Sequence, residues 1–437
     1  MNSWVARRLE NASPQVFSAY CIAAAFGTYF CMYAFRKPFT AGTFDGESLY
    51  GVDYKTVLVV SQVLGYTVSK FVGIRVIAEL PPSRRATGIL GLIAVAHAAL
   101  LLFGMTPRPY NFVFLFINGL PLGMVFGLVL SFLEGRRLTE LLNAGLCASF
   151  IVSSGFIKSV GQTLILDTPV NEYWMPFVTG LLFWPVLLVC VWMLTQIPPP
   201  SRLDVEQRSE RTPIGASDRQ ALLRRHGIGI LLLVATYTML TVLRSLRDDF
   251  AVEIWAAIGY SQTPSIFTLS ETIVMAVVIL VNAAAFLIPS NRAAFFTAIQ
   301  TITAGFLLVG ASTLLFQQQA VGGFLYMVTL GVGTYAPYVA FHTTLFERMI
   351  ALFRDKANLG YLMYLADAFG YLGYVAVLLL RNSWSGEMDF LRATILTSLT
   401  VSVSCLVLAL AAFIYFRRQA DRIKDDEPRR LVPSPAR

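Results

Sequence analysis

Two apolar stretches of the sequence each carry a tyrosine and an arginine at the same spacing. Tyr29 precedes Arg36 in the first stretch, and Tyr237 precedes Arg244 in the second. This separation of about seven residues is two helical turns, so each tyrosine shares a helix face with its arginine. An arginine inside a bilayer costs about 2.5–3.5 kcal/mol on insertion scales and marks a functional site by default. Two guanidiniums facing one cavity suit an anion, above all phosphate or carboxylate, because the guanidinium fork binds these groups bidentately.

Two lysines also lie in apolar stretches and are candidate substrate contacts. For Lys70 the alternative is a structural ion pair, and for Lys158 it is a side chain that snorkels to the membrane surface. Arg36 has the same snorkelling alternative, because Pro38 could mark the end of its helix. Arg244, the equivalent arginine in the second repeat, favours an inward position for Arg36.

Asp367 and Glu271 are the acidic residues in apolar stretches. Either could take up a proton for coupling, since a desolvated carboxyl group is more readily protonated, or could form an ion pair with a nearby cation. His97 and His342 also lie in apolar spans. A lone histidine there acts more often as a hydrogen-bonding residue between helices than as a proton relay.

Composition places the chain in a membrane. Of its 437 residues, 56% are hydrophobic and only 14% are charged, which is typical of a polytopic membrane protein. The net charge of +8 does not indicate nucleic-acid binding, because lysines and arginines concentrate in alternate loops and at both ends of the chain. The 5 cysteines lie in apolar stretches without ligand spacing, so neither disulfides nor a metal site is expected. No cofactor is expected, and the sequence has no nucleophile–base arrangement or nucleotide loop that would indicate an enzyme.

Apolar runs of membrane-spanning length form two sets of six. The sequence therefore predicts an all-α polytopic membrane protein with twelve transmembrane helices in two pseudo-symmetric six-helix bundles. Glycines recur in the fourth and tenth spans, which supports duplication of a six-helix unit, although most such glycines serve close helix packing. The expected domains are an N-terminal bundle, a cytoplasmic linker, a C-terminal bundle and a cytoplasmic tail, at residues 1–197, 198–226, 227–416 and 417–437.

The distribution of basic residues predicts the orientation. Cytoplasmic loops are enriched in lysine and arginine, so both termini and the linker are expected in the cytoplasm. The chain is expected to be a monomeric multi-pass protein of the inner or plasma membrane. Its expected partners are the lipid bilayer and a small anionic substrate, with no nucleic acid.

The two bundles, the central linker and the basic loops after the second and eighth spans resemble the major facilitator superfamily. A more specific resemblance is to the organophosphate:phosphate antiporters of that superfamily. It lies in the string Tyr29, Tyr33, Arg36, Lys37, Phe39 of the first span, in Tyr66 to Lys70 of the second, and in Leu243-Arg244 of the seventh. The resemblance implies that Arg36 and Arg244 clamp a substrate phosphate, helped by Lys70 and by hydroxyls of Tyr29, Tyr33, Tyr66 and Tyr237.

The fifth span lacks the histidine of that family's motif. The resemblance therefore implies an anionic substrate without identifying it. Strings such as Phe132 to Arg137 and Phe156 to Gly161 are similar to an uncharacterised bacterial membrane-protein family with no assigned substrate.

Two functions fit these features. The first is a secondary active transporter of a small anion, an organophosphate or phosphate, working by alternating access. The second is a membrane receptor or sensor of the same fold that binds an anion without transporting it. The sequence does not separate them, because both need the same buried site.

The predicted orientation can be tested by cysteine labelling. Cysteines introduced as Asp45→Cys and Arg211→Cys should react with a membrane-impermeant maleimide from opposite sides of the membrane, because an odd number of spans separates them. The unmodified chain is the control and should stay unlabelled, since its own cysteines lie in apolar spans. Reaction of both positions from one side would contradict the topology.

Overall fold

The structure, a computed structural model, describes residues 4–133, 139–199, 216–353, 359–382 and 390–430. Within these ranges twelve helices are long and apolar enough to cross a membrane, which confirms the predicted number. Spans 1 to 6 are α2 (Pro14–Tyr33), α3 (Tyr54–Glu79), α4 (Arg85–Met105), α5 (Phe112–Leu133), α6 (Thr139–Asp167) and α7 (Met175–Thr195).

Spans 7 to 12 form the second half. They are α8 (Ala216–Asp249), α10 (Ser265–Phe286), α11 (Asn291–Gln317), α12 (Gly323–Ala340) with α13 (Phe346–Phe353), α14 (Leu359–Asn382) and α15 (Phe390–Arg430). Span 10 comprises α12 and α13, which a π-helical turn at Phe341–Leu345 joins. Two short helices, α1 (Trp4–Glu10) and α9 (Ala251–Ala257), lie outside the spans.

Helix packing repeats between the two halves. In the first half span 1 packs on spans 5 and 6, span 4 on spans 2 and 3, and span 3 on span 6. The same pairs recur six spans later, with span 7 on spans 11 and 12, span 10 on spans 8 and 9, and span 9 on span 12. The halves meet where span 5 packs on span 8 and span 2 on span 11. This arrangement confirms two pseudo-symmetric bundles.

An even number of spans places both ends of the spanning region on one side, the terminal face. The opposite side is the hairpin face, where residues 34–53 connect spans 1 and 2. This connection holds a small β-hairpin of β1 (Ser48–Leu49) and β2 (Val52–Asp53), which the all-α expectation did not include. Its two-residue turn places Tyr50 and Gly51 at positive φ, the geometry that twisted hairpins favour.

Three boundaries differ from the predicted ones. Span 1 ends at Tyr33, whereas the shared helix face predicted for Tyr29 and Arg36 requires a helix through residue 36; Arg36 therefore lies in the turn after the helix. Span 7 begins at Ala216, inside the predicted linker 198–226, of which residues 200–215 lie outside the described residues. Span 12 continues as helix to Arg430, through most of the predicted tail 417–437.

Glycines allow spans 2 and 4 to pack backbone to backbone. A Cβ atom on Gly119 would lie under 3.0 Å from the Gln62 carbonyl oxygen, and one on Gly65 would lie equally close to the Phe116 carbonyl oxygen. Real Cβ atoms do not approach backbone so closely, so both positions require glycine. This close approach also brings Gln62 next to Asn118, a pair that supports the Arg36 turn described below.

Replacing Gly119 should therefore destabilise the N-terminal bundle. We expect Gly119→Ala to lower the free energy of unfolding by about 1–3 kcal/mol, the usual effect of overpacking, as measured by thermal unfolding in detergent. Gly91→Ala in span 3 is the matched control, because its Cβ would meet no atom within 4 Å. Equal stability of the two variants would contradict the packing explanation.

Candidate functional site

A cavity lies between the two bundles at the level of the two predicted arginines. The space between its lining side chains, including its opening, is about 580 Å³. Spans from both halves contribute to its wall, so the cavity belongs to neither bundle alone. Its lining side chains are those of Tyr29, Tyr33, Arg36, Lys37, Gln62, Val63, Tyr66, Lys70, Phe126, Phe150, Arg244, Ser245, Asp249, Tyr338, His342, Asp367 and Tyr371.

Arg36 reaches this cavity from the turn that follows span 1. Proline at position 38 cannot donate a helical hydrogen bond and restricts Lys37 before it, so the helix stops. Side chains form hydrogen bonds with the carbonyl oxygens that lack a helical partner after this helix end. Gln62 donates to the Arg36 carbonyl oxygen at 2.6 Å, and Asn118 donates to the Phe35 carbonyl oxygen at 2.9 Å. The Arg36 side chain is only 7% exposed. The snorkelling alternative for Arg36 is therefore wrong, since a snorkelling side chain would be exposed.

Arg244 reaches the same cavity from within span 7 and is likewise 7% exposed. Its guanidinium carbon lies 4.4 Å from the centre of the Tyr338 ring, and that of Arg36 lies 3.9 Å from the centre of the Tyr66 ring. Such cation–π contacts stabilise a guanidinium through its flat face. The N–H groups at the edge of the guanidinium then remain available to donate hydrogen bonds to other acceptors.

Among the described residues, the two arginines differ from the other buried cations because neither contacts a carboxylate. Seven lysine and arginine side chains are buried among the described residues, and five of them contact a carboxylate: Lys37, Lys55, Lys70, Lys158 and Arg247. No described carboxylate lies within 4.0 Å of Arg36 or Arg244, and the Nε atom of each is buried without a hydrogen-bond partner. Four cations and two carboxylates line the cavity, which leaves it a formal charge of +2 with His342 neutral.

Lys70 and Asp367 join the two bundles across the cavity. Lys70 of span 2 lies 3.0 Å from the Asp367 carboxylate of span 11. Tyr237 donates its hydroxyl to the other Asp367 oxygen and is fully buried outside the cavity lining. Tyr29, Tyr33 and Tyr66 line the cavity, whereas Tyr237 lies behind it and supports Asp367.

Lys158 and Glu271 lie apart from the central cavity. Lys158 is 1% exposed and contacts Asp248 at 2.5 Å, so it does not snorkel. Glu271 lies 2.8 Å from Arg247. Both residues line a second, smaller cavity of about 240 Å³ between spans 5, 7, 8 and 10. Both acids thus lie in ion pairs, Asp367 with Lys70 and Glu271 with Arg247.

Charged side chains also join the bundles on the hairpin face. We call Lys37, Lys158, Asp248 and Asp249 the hairpin-side cluster. Lys37 bonds both carboxylates, with 2.8 Å to Asp248, and Lys158 shares Asp248. Burial would lower the pKa of Lys37, but the two carboxylates outweigh burial and hold this pKa above its ordinary value. The lysines come from the first half and the carboxylates from the second, so the cluster closes this face.

Two further contacts reinforce this closure. Lys55 at the start of span 2 lies 2.5 Å from Glu253 of α9. Spans 5 and 8 touch so closely that a Cβ atom on Gly155 would lie 2.5 Å from the Phe267 carbonyl oxygen. Opening the hairpin face requires all these contacts between the halves to separate.

The two histidines have different surroundings. His97 accepts a hydrogen bond from the Trp184 indole at 2.7 Å, and its other ring nitrogen lies 3.0 Å from the Phe177 carbonyl oxygen. His97 therefore joins spans 3 and 6, as the hydrogen-bonding alternative predicted. His342 lies in the π-helical turn of span 10 and lines the cavity.

Several residues of the site were not expected from the sequence. Three charged residues lie close in sequence to the two arginines: Lys37, Asp248 and Asp249. The signal that could have identified them was the run of charged residues at the end of each apolar span. Phe126, Phe150, Tyr338 and Tyr371 carried no signal, because 13% of the chain is aromatic and nothing in the sequence distinguishes these four. Whether such a side chain lines the cavity depends on how its helix is rotated about its own axis.

Solved structures of transporters share this fold. A mutant of the nucleoside transporter NupG is 13% identical with a TM-score of 0.59, over 91% of this chain and 99% of that one. A D-xylose-proton symporter is 14% identical with a TM-score of 0.58, over 91% and 97%. An auto-inhibited POT family peptide transporter is 14% identical with a TM-score of 0.56, over 92% and 96%. At such low identity these matches show a shared fold alone.

Sequence comparison gives one family. A family model described as "Family of unknown function (DUF5690)" matches residues 38–419, which is most of the chain. A comparison with curated proteins gives no match.

The hairpin-side cluster generates a stability prediction. Asp248→Asn should lower the free energy of unfolding by about 3–5 kcal/mol, because it leaves Lys158 buried without its carboxylate. Adding Lys158→Met to this variant should restore part of the loss. Thermal unfolding in detergent measures both changes.

A surface ion pair provides the matched control for this prediction. Arg292 and Asp421 are 39% and 54% exposed in their side chains, so Asp421→Asn should cost no more than about 1 kcal/mol. If Asp248→Asn were no more destabilising than Asp421→Asn, the cluster would not hold the bundles together.

Proposed function

The chain belongs to the family of unknown function DUF5690, and on that premise and its major facilitator fold we propose that it is a secondary transporter of a small organophosphate. Transport proceeds by alternating access, in which the two bundles rock around the central cavity. The observation that supports an anionic substrate is the pair of buried guanidiniums without a carboxylate, Arg36 and Arg244.

Charge explains why an anion suits this cavity. Burying an isolated cation is costly, and every other buried cation of the described chain has its counter-charge within the protein. A substrate with two negative charges, such as a phosphate monoester, would neutralise the formal charge of the lining. Each guanidinium can then donate two parallel hydrogen bonds to phosphate oxygens.

Lys70 and the three tyrosines of the lining complete the proposed anion site. Tyr29, Tyr33 and Tyr66 would donate hydroxyls to the substrate. Lys70 is shared between Asp367 and the cavity, so a bound phosphate competes with Asp367 for its ammonium group. Asp367 is then the better candidate for proton coupling, because it faces the substrate, whereas Glu271 lies in the second cavity beside Arg247.

The conformational cycle follows from the inter-bundle contacts. The hairpin-side cluster and the Lys55–Glu253 pair close the hairpin face, and we therefore propose that the substrate is exchanged toward the terminal face while these contacts hold. We assign the terminal face to the cytoplasm from the distribution of basic residues, and we propose that the protein acts as a monomer in the cell membrane.

Conservative substitutions test the proposed anion site. Arg36→Lys or Arg244→Lys should weaken phosphate binding about tenfold to a hundredfold although the charge is kept, because the planar fork is lost. Binding is measured by calorimetry or by the thermal shift that a saturating ligand produces on the purified protein. Arg108→Lys at the exposed Arg108–Glu47 pair is the matched control and should bind phosphate as the unmodified protein does.

Two outcomes separate the hypotheses. Counterflow of labelled phosphate or organophosphate into vesicles that contain the protein indicates a transporter. Binding without counterflow would instead indicate the receptor of the same fold. A larger thermal shift with a neutral sugar or an organic cation than with any anion would overturn the anionic substrate.

A further inference from the structure

Beside the arginines, the cavity wall carries a cluster of aromatic rings. We call Tyr29, Phe126 and Phe150 the aromatic patch. They come from spans 1, 4 and 5, and their ring centres lie 5.2–5.5 Å apart in all three pairs. All three side chains line the cavity. One wall of a strongly charged cavity is therefore apolar and aromatic.

One tyrosine ring lies between the aromatic patch and each of the two guanidiniums. Arg244 stacks on Tyr338, whose ring centre is 6.1 Å from that of Phe150. Arg36 lies 5.8 Å from the centre of the Tyr33 ring, which is 5.6 Å from that of Tyr29. A small molecule whose anionic group lies between the arginines can thus reach the aromatic patch with its remaining part.

The aromatic patch also spans the junction of the bundles. Phe150 of span 5 faces Tyr338 and His342 of span 10, with 5.8 Å between the centres of the Phe150 and His342 rings. These two walls belong to different halves and separate when the bundles rock. These rings contact each other in this structure, so a group can enter between them only when the bundles separate. A flat aromatic group could then form offset-stacked or edge-to-face pairs with them, in which ring centres lie about 4.5–7 Å apart.

The chemistry of this wall disfavours a hydroxyl-rich substrate body. Phe126 and Phe150 offer no hydrogen-bond partners, and Tyr29 offers only its single hydroxyl. A glycerol or sugar body placed against this wall would leave most of its hydroxyls unpaired, at a cost comparable to that of other buried unsatisfied polar groups. An aromatic ring loses no hydrogen bonds there.

We infer that the substrate is a phosphate monoester of a planar aromatic group, with the phosphate between Arg36 and Arg244 and the ring on the aromatic patch. This inference rests on the proposed anion transport and adds the nature of the organic part. Phe126 and Phe150 then determine specificity, while the arginines provide the affinity for phosphate.

A matched set of ligands tests the inference on the purified full-length protein in nanodiscs. Inorganic phosphate, glycerol phosphate, cyclohexyl phosphate and phenyl phosphate share the anionic group and differ in the attached body. We expect phenyl phosphate to bind about threefold to tenfold more tightly than cyclohexyl phosphate, because aromatic pairing adds to simple burial. Glycerol phosphate should bind no better than inorganic phosphate.

Substitutions assign this preference to particular rings. Phe150→Leu and, separately, Phe126→Leu should each reduce the ratio of the phenyl phosphate affinity to the cyclohexyl phosphate affinity, and this ratio is compared within one variant, so it does not depend on how tightly that variant binds inorganic phosphate. Phe306→Leu, at a fully buried position in span 9 outside the cavity lining, is the control and should keep the advantage. Retained binding of inorganic phosphate shows that each variant is folded.

The results distinguish the two levels of the proposal. Equal affinity for phenyl, cyclohexyl and glycerol phosphate would overturn the aromatic substrate and leave anion transport intact. Absence of binding by all four compounds would overturn the anion site itself. Preference for phenyl phosphate that survives both leucine substitutions would place the ring elsewhere in the cavity and also overturn the inference.

Discussion

Compensation of buried positive charge is the constraint on which this structure depends. A helical bundle in a membrane has little water to solvate a cation, so each buried lysine or arginine needs a partner. Five of the seven buried cations of the described chain have a carboxylate, and most of these pairs join one bundle to the other. The same electrostatic need therefore closes the hairpin face, and among the described residues it leaves two guanidiniums, Arg36 and Arg244, without a carboxylate.

The end of span 7 connects the site to this closure. Arg244 faces the cavity, and within little more than one further turn Arg247 pairs with Glu271 while Asp248 and Asp249 bind Lys37 and Lys158. A movement of this helix end changes the position of a cavity-facing group and of the closing ion pairs together. Under the proposed function, this arrangement would connect substrate binding to separation of the bundles, because both involve the same rigid helical turn.

The internal repeat is preserved in packing but not in the roles of equivalent residues. Helix contacts recur six spans later, yet Arg36 lies in a turn beyond its helix while Arg244 lies within one. Tyr29 lines the cavity, whereas Tyr237 is buried behind it and donates to Asp367. The two halves thus share the helix packing that forms the central cavity. Equivalent residues in the two halves have different positions, and the cavity therefore has one charged wall and one aromatic wall.

The sequence alone determined the spans, the two bundles and the arginines at their interface, because hydrophobicity and the cost of a buried charge are local properties of the chain. It could not determine the end of span 1, since Gln62 and Asn118 stabilise the Arg36 turn from other helices. Nor could it assign Asp248 to Lys158, Asp367 to Lys70, or Phe126 and Phe150 to the cavity. Those contacts depend on the rotation and approach of helices distant in sequence, which only the packed tertiary structure decides.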